Sequence, residues 1–237
     1  MNTATIRLYD LAGVEDDRRF SPYCWRVYLA LRHKGLPFET MPWRFTEKEA
    51  IAFSGQNQVP VIVDGDQVIH DSWAIAEYLE DTYADRPSLF GGPSGKALSR
   101  FVTDWVETVL HTGIVRLIAV DIPSHLHEKD RDYFCRTREE RFGMTLEEFC
   151  ANREEGVTSF RNHLAPLRAT LQHQPFLAGQ EPAWADYVTF SAFQWARCIS
   201  PFPLLMSDDL VYTWRERMLN AFGGEGRKAK GYPCSPG

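Results

Sequence analysis

The residues of this 237-residue chain best suited to chemistry are Ser21-Pro22-Tyr23-Cys24, which follow a short strand and open a helix. Serine can accept hydrogen bonds from the first free N–H groups of a helix, and proline fits the first helical position, where no donor is needed. An anion beside such a helix end meets unpaired N–H groups and the positive end of the helix dipole. The stretch therefore predicts either an anion-stabilising hydroxyl or simply a capped helix.

Cys24 is the second chemical group in this stretch. The stretch resembles the Cys-Pro-Tyr-Cys site of glutaredoxins, in which the second cysteine resolves a mixed disulfide formed by the first. In this chain Ser21 replaces the first cysteine. Three residues into the helix, Cys24 is expected to point inward, where a thiol is usually inert. Thiol–disulfide reduction through Cys24 remains an alternative function.

Composition argues against several classes of protein. With 44% hydrophobic residues, the chain is long enough to build a sizeable core in one large or two small domains. A net charge of −6 argues against nucleic acid or an anionic membrane as the main partner. There is no run of 18 apolar residues and no secretory pattern at the N-terminus, so we expect neither a membrane span nor a signal peptide. The cysteines, at positions 24, 135, 150, 198 and 234, fit free thiols in a reducing cytoplasm, and no metal-ligand spacing occurs.

Residues 1–85 alternate between strand and helix signals. Apolar residues recur at helical spacing after Pro22, and the β-branched run Val61-Ile62-Val63 precedes the tight-turn signal Asp64-Gly65-Asp66. The predicted strands are 6–9, 38–42, 61–63 and 68–70, and the predicted helices are 22–34, 47–53 and 72–83, the last capped by Ser72. This order predicts an α/β thioredoxin-like N-terminal domain with a small mixed sheet.

The rest of the chain reads as helical. Residues 86–95 form a linker, residues 96–222 an all-α domain, and the Gly-, Pro- and Lys-rich residues 223–237 a flexible tail. A long helix is predicted from Leu98 to about Val120. Its expected apolar face consists of Phe101, Val102, Trp105, Val109 and Leu110. Further helices are predicted within 131–154 and over 156–172, 186–199 and 210–222.

Four local matches, in order along the chain, make it resemble the soluble glutathione transferases. They are SPYCWRVYLAL, the Gln58-Val59-Pro60-Val61 entry to the third strand, Asp71-Ser72, and LAGQEPAWADYV near residues 177–188. The phrases LYDL, SPYCWR, DSWAIAEYL and ADRPSLF look most like the branch with bacterial β-aryl etherases and fungal relatives. One departure is Ala183, where the family usually has Ser or Thr three residues before Asp186; the lost cap is typically worth about 1 kcal/mol.

The resemblance implies that Ser21 stabilises the thiolate of bound glutathione. For a thiol with a pKa near 8.5 to be half ionised at pH 7, its pKa must fall by roughly 1.5, which corresponds to about 2 kcal/mol. One charge-assisted hydrogen bond supplies about 1.5–3 kcal/mol, so a single hydroxyl suffices. Tyr9 is the rival donor, since other branches use a tyrosine at the end of the first strand.

The same resemblance implies the rest of the glutathione site. A cis Pro60 would leave the Val59 backbone free to pair with the cysteinyl backbone, as in strand addition. Asp71 would bind the γ-glutamyl ammonium and Ser72 its carboxylate. Gln58, with Arg44, would reach the glycyl carboxylate.

The function expected from this resemblance is attack of the thiolate on an apolar electrophile, possible substrates including a β-aryl ether. The electrophile pocket is expected between the domains, near Tyr23, Trp43, Trp105, Val109 and Thr112. Two further alternatives stay open: glutathione-dependent isomerisation of a diketo acid, and a non-catalytic carrier of apolar ligands. The resemblance also implies a homodimer.

Overall fold

The structure is a computed structural model that describes residues 5–233. Its strands are β1 (Ile6–Leu11), β2 (Phe38–Trp43), β3 (Val61–Asp64) and β4 (Gln67–His70). Its α-helices are α1 (Pro22–His33), α2 (Ser72–Thr82), α3 (Pro93–Trp105), α4 (His111–Ile118), α5 (Glu128–Phe142), α6 (Leu146–Cys150), α7 (Arg153–His163), α8 (Ala165–Leu171), α9 (Trp184–Ile199) and α10 (Leu210–Lys228). Two 3₁₀ helices, Lys48–Ser54 and Ala119–His125, and a π-helical turn, Val106–Leu110, complete the described elements.

The four strands form one mixed sheet in the order β2-β1-β3-β4. β1 and β2 run parallel, as the crossover through α1 requires, whereas β3 is antiparallel to both β1 and β4. Val61, Ile62 and Val63 are all buried, as their β-branched run predicts. This sheet with its helices, followed by a helical domain, confirms the predicted fold class.

The start of α2 differs from the prediction that Ser72 caps it. The cap is Asp71, whose Oδ1 accepts hydrogen bonds from the backbone N–H groups of Trp73 (2.9 Å) and Ala74 (3.0 Å). Ser72 is the first helical residue and is buried. A side chain directly before the first helical turn is best placed to reach the free N–H groups, and in this chain that residue is the aspartate.

The long helix predicted from Leu98 begins earlier, at Pro93, and is interrupted by the π-helical turn before α4. Its expected apolar face is only partly correct. Phe101 is 71% exposed and Leu98 69%, whereas Val106 and Leu110 are fully buried. Inserting a π-helical turn rotates the residues that follow it, so one straight helical wheel does not describe the whole segment.

The centre of the helical domain is α9, which is buried around most of its circumference. Ala183 supplies no cap, and the buried Asp186 carboxylate instead accepts hydrogen bonds from the N–H groups of Leu177 (2.7 Å) and Ala178 (3.0 Å) and from Trp214 Nε1 (2.8 Å). Burial raises the pKa of Asp186, and these hydrogen bonds oppose that rise. The carboxylate therefore ties the preceding loop to α9. Among the described residues, no helix has both the length and the apolar character needed to cross a membrane.

The two domains pack against each other through α1 and α9. His33 Nδ1 lies 2.6 Å from the Tyr187 hydroxyl, and the Arg18 guanidinium donates to the Cys198 carbonyl at 2.6 Å. Arg32 on α1 pairs with Glu225 on α10 at 3.4 Å, and Trp184 N–H donates to the carbonyl of Leu89 in the linker at 3.0 Å. The helical domain thus holds α1, the helix that Ser21 caps, in place.

The tail expected from residue 223 departs from the prediction over its described part. The chain bends where Phe222 and the two glycines after it adopt positive φ, and helix resumes to Lys228. Arg197 on α9 donates to the carbonyls of Gly226 and Ala229, both at 3.1 Å. Arg197 thus orders this segment through hydrogen bonds that its composition does not reveal. Residues 234–237 lie outside the described part of the chain.

Candidate functional site

A cavity of about 640 Å³ opens between the two domains. The thioredoxin-like domain lines it with the N-terminus of α1, the approach to β3 and the N-terminus of α2. The helical domain lines it with α4, α5, α9 and the 3₁₀ segment after α4. Among the predicted site residues, those that line it are Ser21, Gln58, Val59, Pro60, Asp71, Ser72, Tyr23, Trp43 and Thr112.

Ser21 is the N-cap of α1 and is only 5% exposed. Its Oγ accepts a hydrogen bond from the backbone N–H of Cys24 at 3.2 Å, so the interpretation as a cap is correct in geometry. Accepting that bond leaves the hydroxyl proton free to donate. The same side chain can therefore cap the helix and donate to an anion in the cavity.

Cys24 lies behind Ser21 and is fully buried. Burial, together with the nearby Asp10 carboxylate, raises the pKa of the Cys24 thiol well above its usual value. Among the described residues, the Asp10 carboxylate also forms a long ion pair, 3.5 Å, with Arg19. Burial raises the pKa of Asp10 to about 6 against the opposing effect of Arg19. A thiol held protonated and out of the cavity is poorly suited to redox attack.

Val59 lies just before β3, so its N–H and C=O are not part of the sheet ladder. The Val59–Pro60 peptide bond is cis, in agreement with the prediction. Gln58 is exposed and lines the same side of the cavity. The backbone of Val59 is thus available to pair with an extended ligand.

Asp71 and Ser72 lie at the N-terminus of α2, facing the cavity. Asp71 uses Oδ1 for capping and adopts a positive φ of 69°, unusual for a residue other than glycine. Behind them, the fully buried Arg26 donates to Glu107 Oε1 at 2.8 Å and lies 3.4 Å from Ser72 Oγ. An acid, a hydroxyl and a helix N-terminus on one surface can bind a group that carries both an ammonium and a carboxylate.

The structure does not bring every candidate into the cavity. Trp105 packs against the helical core, and Val109 lines a separate cavity near α6 and α7. The Tyr9 ring packs against Phe53 with centroids 5.4 Å apart and is not among the lining residues. Arg44 is also outside the lining, because it donates to Gly13 O and pairs with Asp16.

Several lining residues were not among the predicted site residues. Lys48 donates to the Asn57 carbonyl at 2.7 Å and lies over the Trp43 ring. His111 lies edge-on to the rings of Tyr23 and Trp195, and burial lowers its pKa to about 3, so it is neutral at ordinary pH. Arg138 lies in the α5 part of the lining. Arg26 was visible in the sequence as a charge within an apolar helical run, but it lies behind the cavity and does not line it.

Chemically, this arrangement can hold an anion at Ser21 beside an apolar chamber. Within residues 5–233 there is no group of three or more His, Cys, Asp or Glu side chains suited to a metal ion. The described cysteines, Cys24, Cys135, Cys150 and Cys198, are all free thiols. The chamber walls are formed by Leu11, Phe20, Phe45, Val115, Ala119, Ile122, Phe134, Phe142 and Trp195.

Comparison with known proteins gives matches along both domains. The profile described as "Glutathione S-transferase, N-terminal domain" matches residues 20–82, and "Glutathione S-transferase, C-terminal domain" matches residues 97–202. Glutathione S-transferase U2 of Arabidopsis thaliana is 31% identical over 105 residues, which cover 43% of this chain and 47% of the relative. The chain spans about half the length of the first curated relatives it matches.

Solved structures match over nearly the whole chain. A glutathione transferase from Phanerochaete chrysosporium superposes with a TM-score of 0.76 at 25% identity, covering 96% of this chain and 95% of that one. A glutathione S-transferase from Ceriporiopsis subvermispora, solved in complex with glutathione, has a TM-score of 0.76 at 22% identity, with 95% of each chain covered. With both halves of the fold matched in order, this chain belongs to the glutathione S-transferase family.

Proposed function

We propose that the protein transfers glutathione to an electrophile, with Ser21 stabilising the glutathione thiolate. The observation that carries this proposal is the position of the Ser21 hydroxyl: it lines the interdomain cavity and retains a proton to donate, because its oxygen accepts from Cys24 N–H. The positive end of the α1 dipole adds to the stabilisation.

In this proposal glutathione lies along the thioredoxin-like side of the cavity. Its cysteinyl backbone pairs with Val59, its γ-glutamyl ammonium binds Asp71, and its γ-glutamyl carboxylate meets Ser72 and the α2 N-terminus. Gln58 and Lys48, which both line the cavity, bind its glycyl carboxylate. The thiol proton leaves to solvent, the sulfur forms a bond to an electrophilic carbon, and the leaving group departs with its electron pair.

The decisive experiment compares the pKa of glutathione bound to Ser21→Ala with that of glutathione bound to the wild type. Ser21→Ala should raise the pKa of bound glutathione by about 1 to 2 because one charge-assisted hydrogen bond is lost. The measurement is the ultraviolet absorbance of the thiolate during a pH titration, with glutathione affinity measured separately by calorimetry.

The matched control is Ser124→Ala, since Ser124 is exposed, bonds only to the Asp121 carbonyl and does not line the cavity. It should leave both readings unchanged. An unaltered thiolate titration in Ser21→Ala would contradict the assigned role of Ser21.

One observation favours a second candidate, isomerisation of a diketo acid. Such a substrate carries carboxylates, and Arg138 and Arg141 place positive charge in the cavity lining. Isomerisation returns glutathione unchanged, whereas transfer consumes it. Thiol titration during turnover of a diketo acid, a chloro-nitroarene and a β-aryl ether therefore separates the two reactions and tests ether cleavage directly.

The remaining expectations are proposals of the same kind. A cytoplasmic location is consistent with the free thiols of the described residues. A homodimer would cover the exposed side chains of Leu98 and Phe101 on α3. A carrier function would need ligand binding without turnover, and reduction through Cys24 would need a thiol that reaches the cavity.

A further inference from the structure

Arg138 stands apart from the other arginines that line or approach the cavity. It lies on α5, partly buried, with its guanidinium 5.0 Å from the Phe134 ring centre and 5.8 Å from that of Phe45. These rings hold the side chain against the apolar chamber. Within the described part of the chain, its side chain forms one hydrogen bond, to the neighbouring Thr137 hydroxyl at 3.1 Å.

No acid within residues 5–233 forms an ion pair with Arg138. Arg141, three residues along α5 and also in the cavity lining, has no such partner there either. Burial, and to a lesser degree the positive charge of Arg141, lowers the pKa of Arg138. Two neighbouring cations without a counter-ion, one of them partly desolvated, raise the free energy of the unliganded protein.

The other charged groups of the cavity are paired, cap a helix or lie beside the proposed glutathione site. Glu107 is paired with Arg26, Asp71 caps α2, and the Lys48 amine donates to the Asn57 carbonyl beside the proposed glutathione site. His111 is neutral and therefore supplies no positive charge. The charge of Lys48 thus lies with the glutathione-binding surface, whereas Arg138 and Arg141 place positive charge on the α5 side of the chamber, in the helical domain.

We infer that the electrophile bound in this cavity carries a carboxylate and that Arg138 binds it, with Arg141 adding positive charge. This inference rests on the proposed function. The planar guanidinium has most of its donors unused and can bind a carboxylate in a bidentate manner. The aromatic walls Phe45, Phe134 and Phe142 suit the apolar body of the same molecule, so the substrate class is an aromatic or unsaturated carboxylic acid.

The test uses two electrophiles with the same reacting carbon, 4-chloro-3-nitrobenzoate and its methyl ester. In both, glutathione sulfur replaces chloride, and each enzymatic rate is divided by the uncatalysed rate with glutathione. Wild type should favour the acid. Arg138→Met, which keeps an apolar stem against the rings, should lower kcat/KM for the acid about 10- to 100-fold and change that for the ester less than about threefold.

Two further variants complete the comparison. Arg138→Lys keeps the charge but not the bidentate geometry and should restore part of the activity on the acid. Arg136→Met removes an arginine from the same helix that is exposed, pairs with Glu140 and does not line the cavity. It should leave kcat/KM unchanged for both substrates.

Binding of unreactive 3-nitrobenzoate, followed through quenching of the cavity tryptophans, separates this inference from the proposed function. If 3-nitrobenzoate binding depends on Arg138 but neither the chlorinated acid nor its ester is conjugated to glutathione, the carboxylate site is supported and the transferase proposal is contradicted. Equal losses on acid and ester would overturn the inference and leave Arg138 as a packing residue. Weaker glutathione binding in Arg138→Met would also overturn it, because the arginine would then serve glutathione itself.

Discussion

At the scale of single residues, the site depends on what lies behind Ser21 as much as on Ser21 itself. Asp10 is 3% exposed at the end of β1, and burial raises its pKa to about 6. Its place in the strand IRLYDL was visible in the sequence, but its burial and its contact with the start of α1 were not. Long-range contacts of this kind follow from the crossover that places β1 beside α1.

Asp10 should make the stability of the protein depend on pH. The carboxyl binds its proton more tightly in the folded state, with a pKa of about 6, than in the unfolded chain, near 3.8. Stability from this group is therefore full below pH 4 and is lost as pH rises through 6, by roughly 2–3 kcal/mol in total. Asp10→Asn should remove that loss, so the free energy of unfolding of the variant should rise relative to that of the wild type between pH 4.5 and 7.5.

Urea unfolding at those two pH values measures the effect. The control is Asp85→Asn, whose side chain is 81% exposed. It should shift stability little and equally at both values. A constant difference between Asp10→Asn and wild type at the two pH values would contradict the role given to Asp10.

At the scale of elements, Asp71 joins two tasks in one side chain, since its Oδ1 caps α2 and the residue lines the cavity. Asparagine caps helices as well as aspartate and tolerates positive φ, whereas alanine does neither. Asp71→Asn should keep stability within about 0.5 kcal/mol of wild type while weakening glutathione binding about tenfold. Asp71→Ala should lose binding and also about 1 kcal/mol or more of stability.

Calorimetric titration with glutathione and chemical denaturation measure the two effects. Thr145→Ala removes another cap, that of α6, where Oγ accepts the Glu148 N–H at 3.2 Å. It should lower stability but leave glutathione affinity intact. Intact affinity in Asp71→Asn would show that the charge of Asp71 does not bind the ligand.

The elements also show how far the sequence could be read. The strands, α1, α2 and α9 were predictable, because each has a clean apolar period or a turn signal such as Asp64-Gly65-Asp66. The cavity wall at Arg138 was not, because α5 is polar along most of its length and meets the cavity only after the chain turns at residues 119–125. Helical spacing places Phe101 on the apolar face of a long helix, but spacing alone does not show whether another element covers that position, and Phe101 is 71% exposed.

At the scale of the whole molecule, Leu98 and Phe101 leave an exposed apolar face on α3. If the proposed homodimer buries this face, Phe101→Glu should shift sedimentation at micromolar concentration from dimer towards monomer. Val14→Glu is the control, since Val14 is a 44% exposed apolar residue elsewhere on the surface. A dimer unaffected by Phe101→Glu would place the interface on another face.

The packing of α1 on α9 has a consequence for the chain as a modular unit. A thioredoxin-like domain is often regarded as a part that can be cut out and joined elsewhere. Here α1, which Ser21 caps, loses three partners when the helical domain is removed: the Tyr187 hydroxyl at His33, Glu107 at Arg26, and Glu225 at Arg32. A fragment ending near residue 85 would therefore bury less apolar surface and leave Arg26 without its counter-ion. We therefore expect that the site is kept in recombined or engineered chains only when both domains are transferred together.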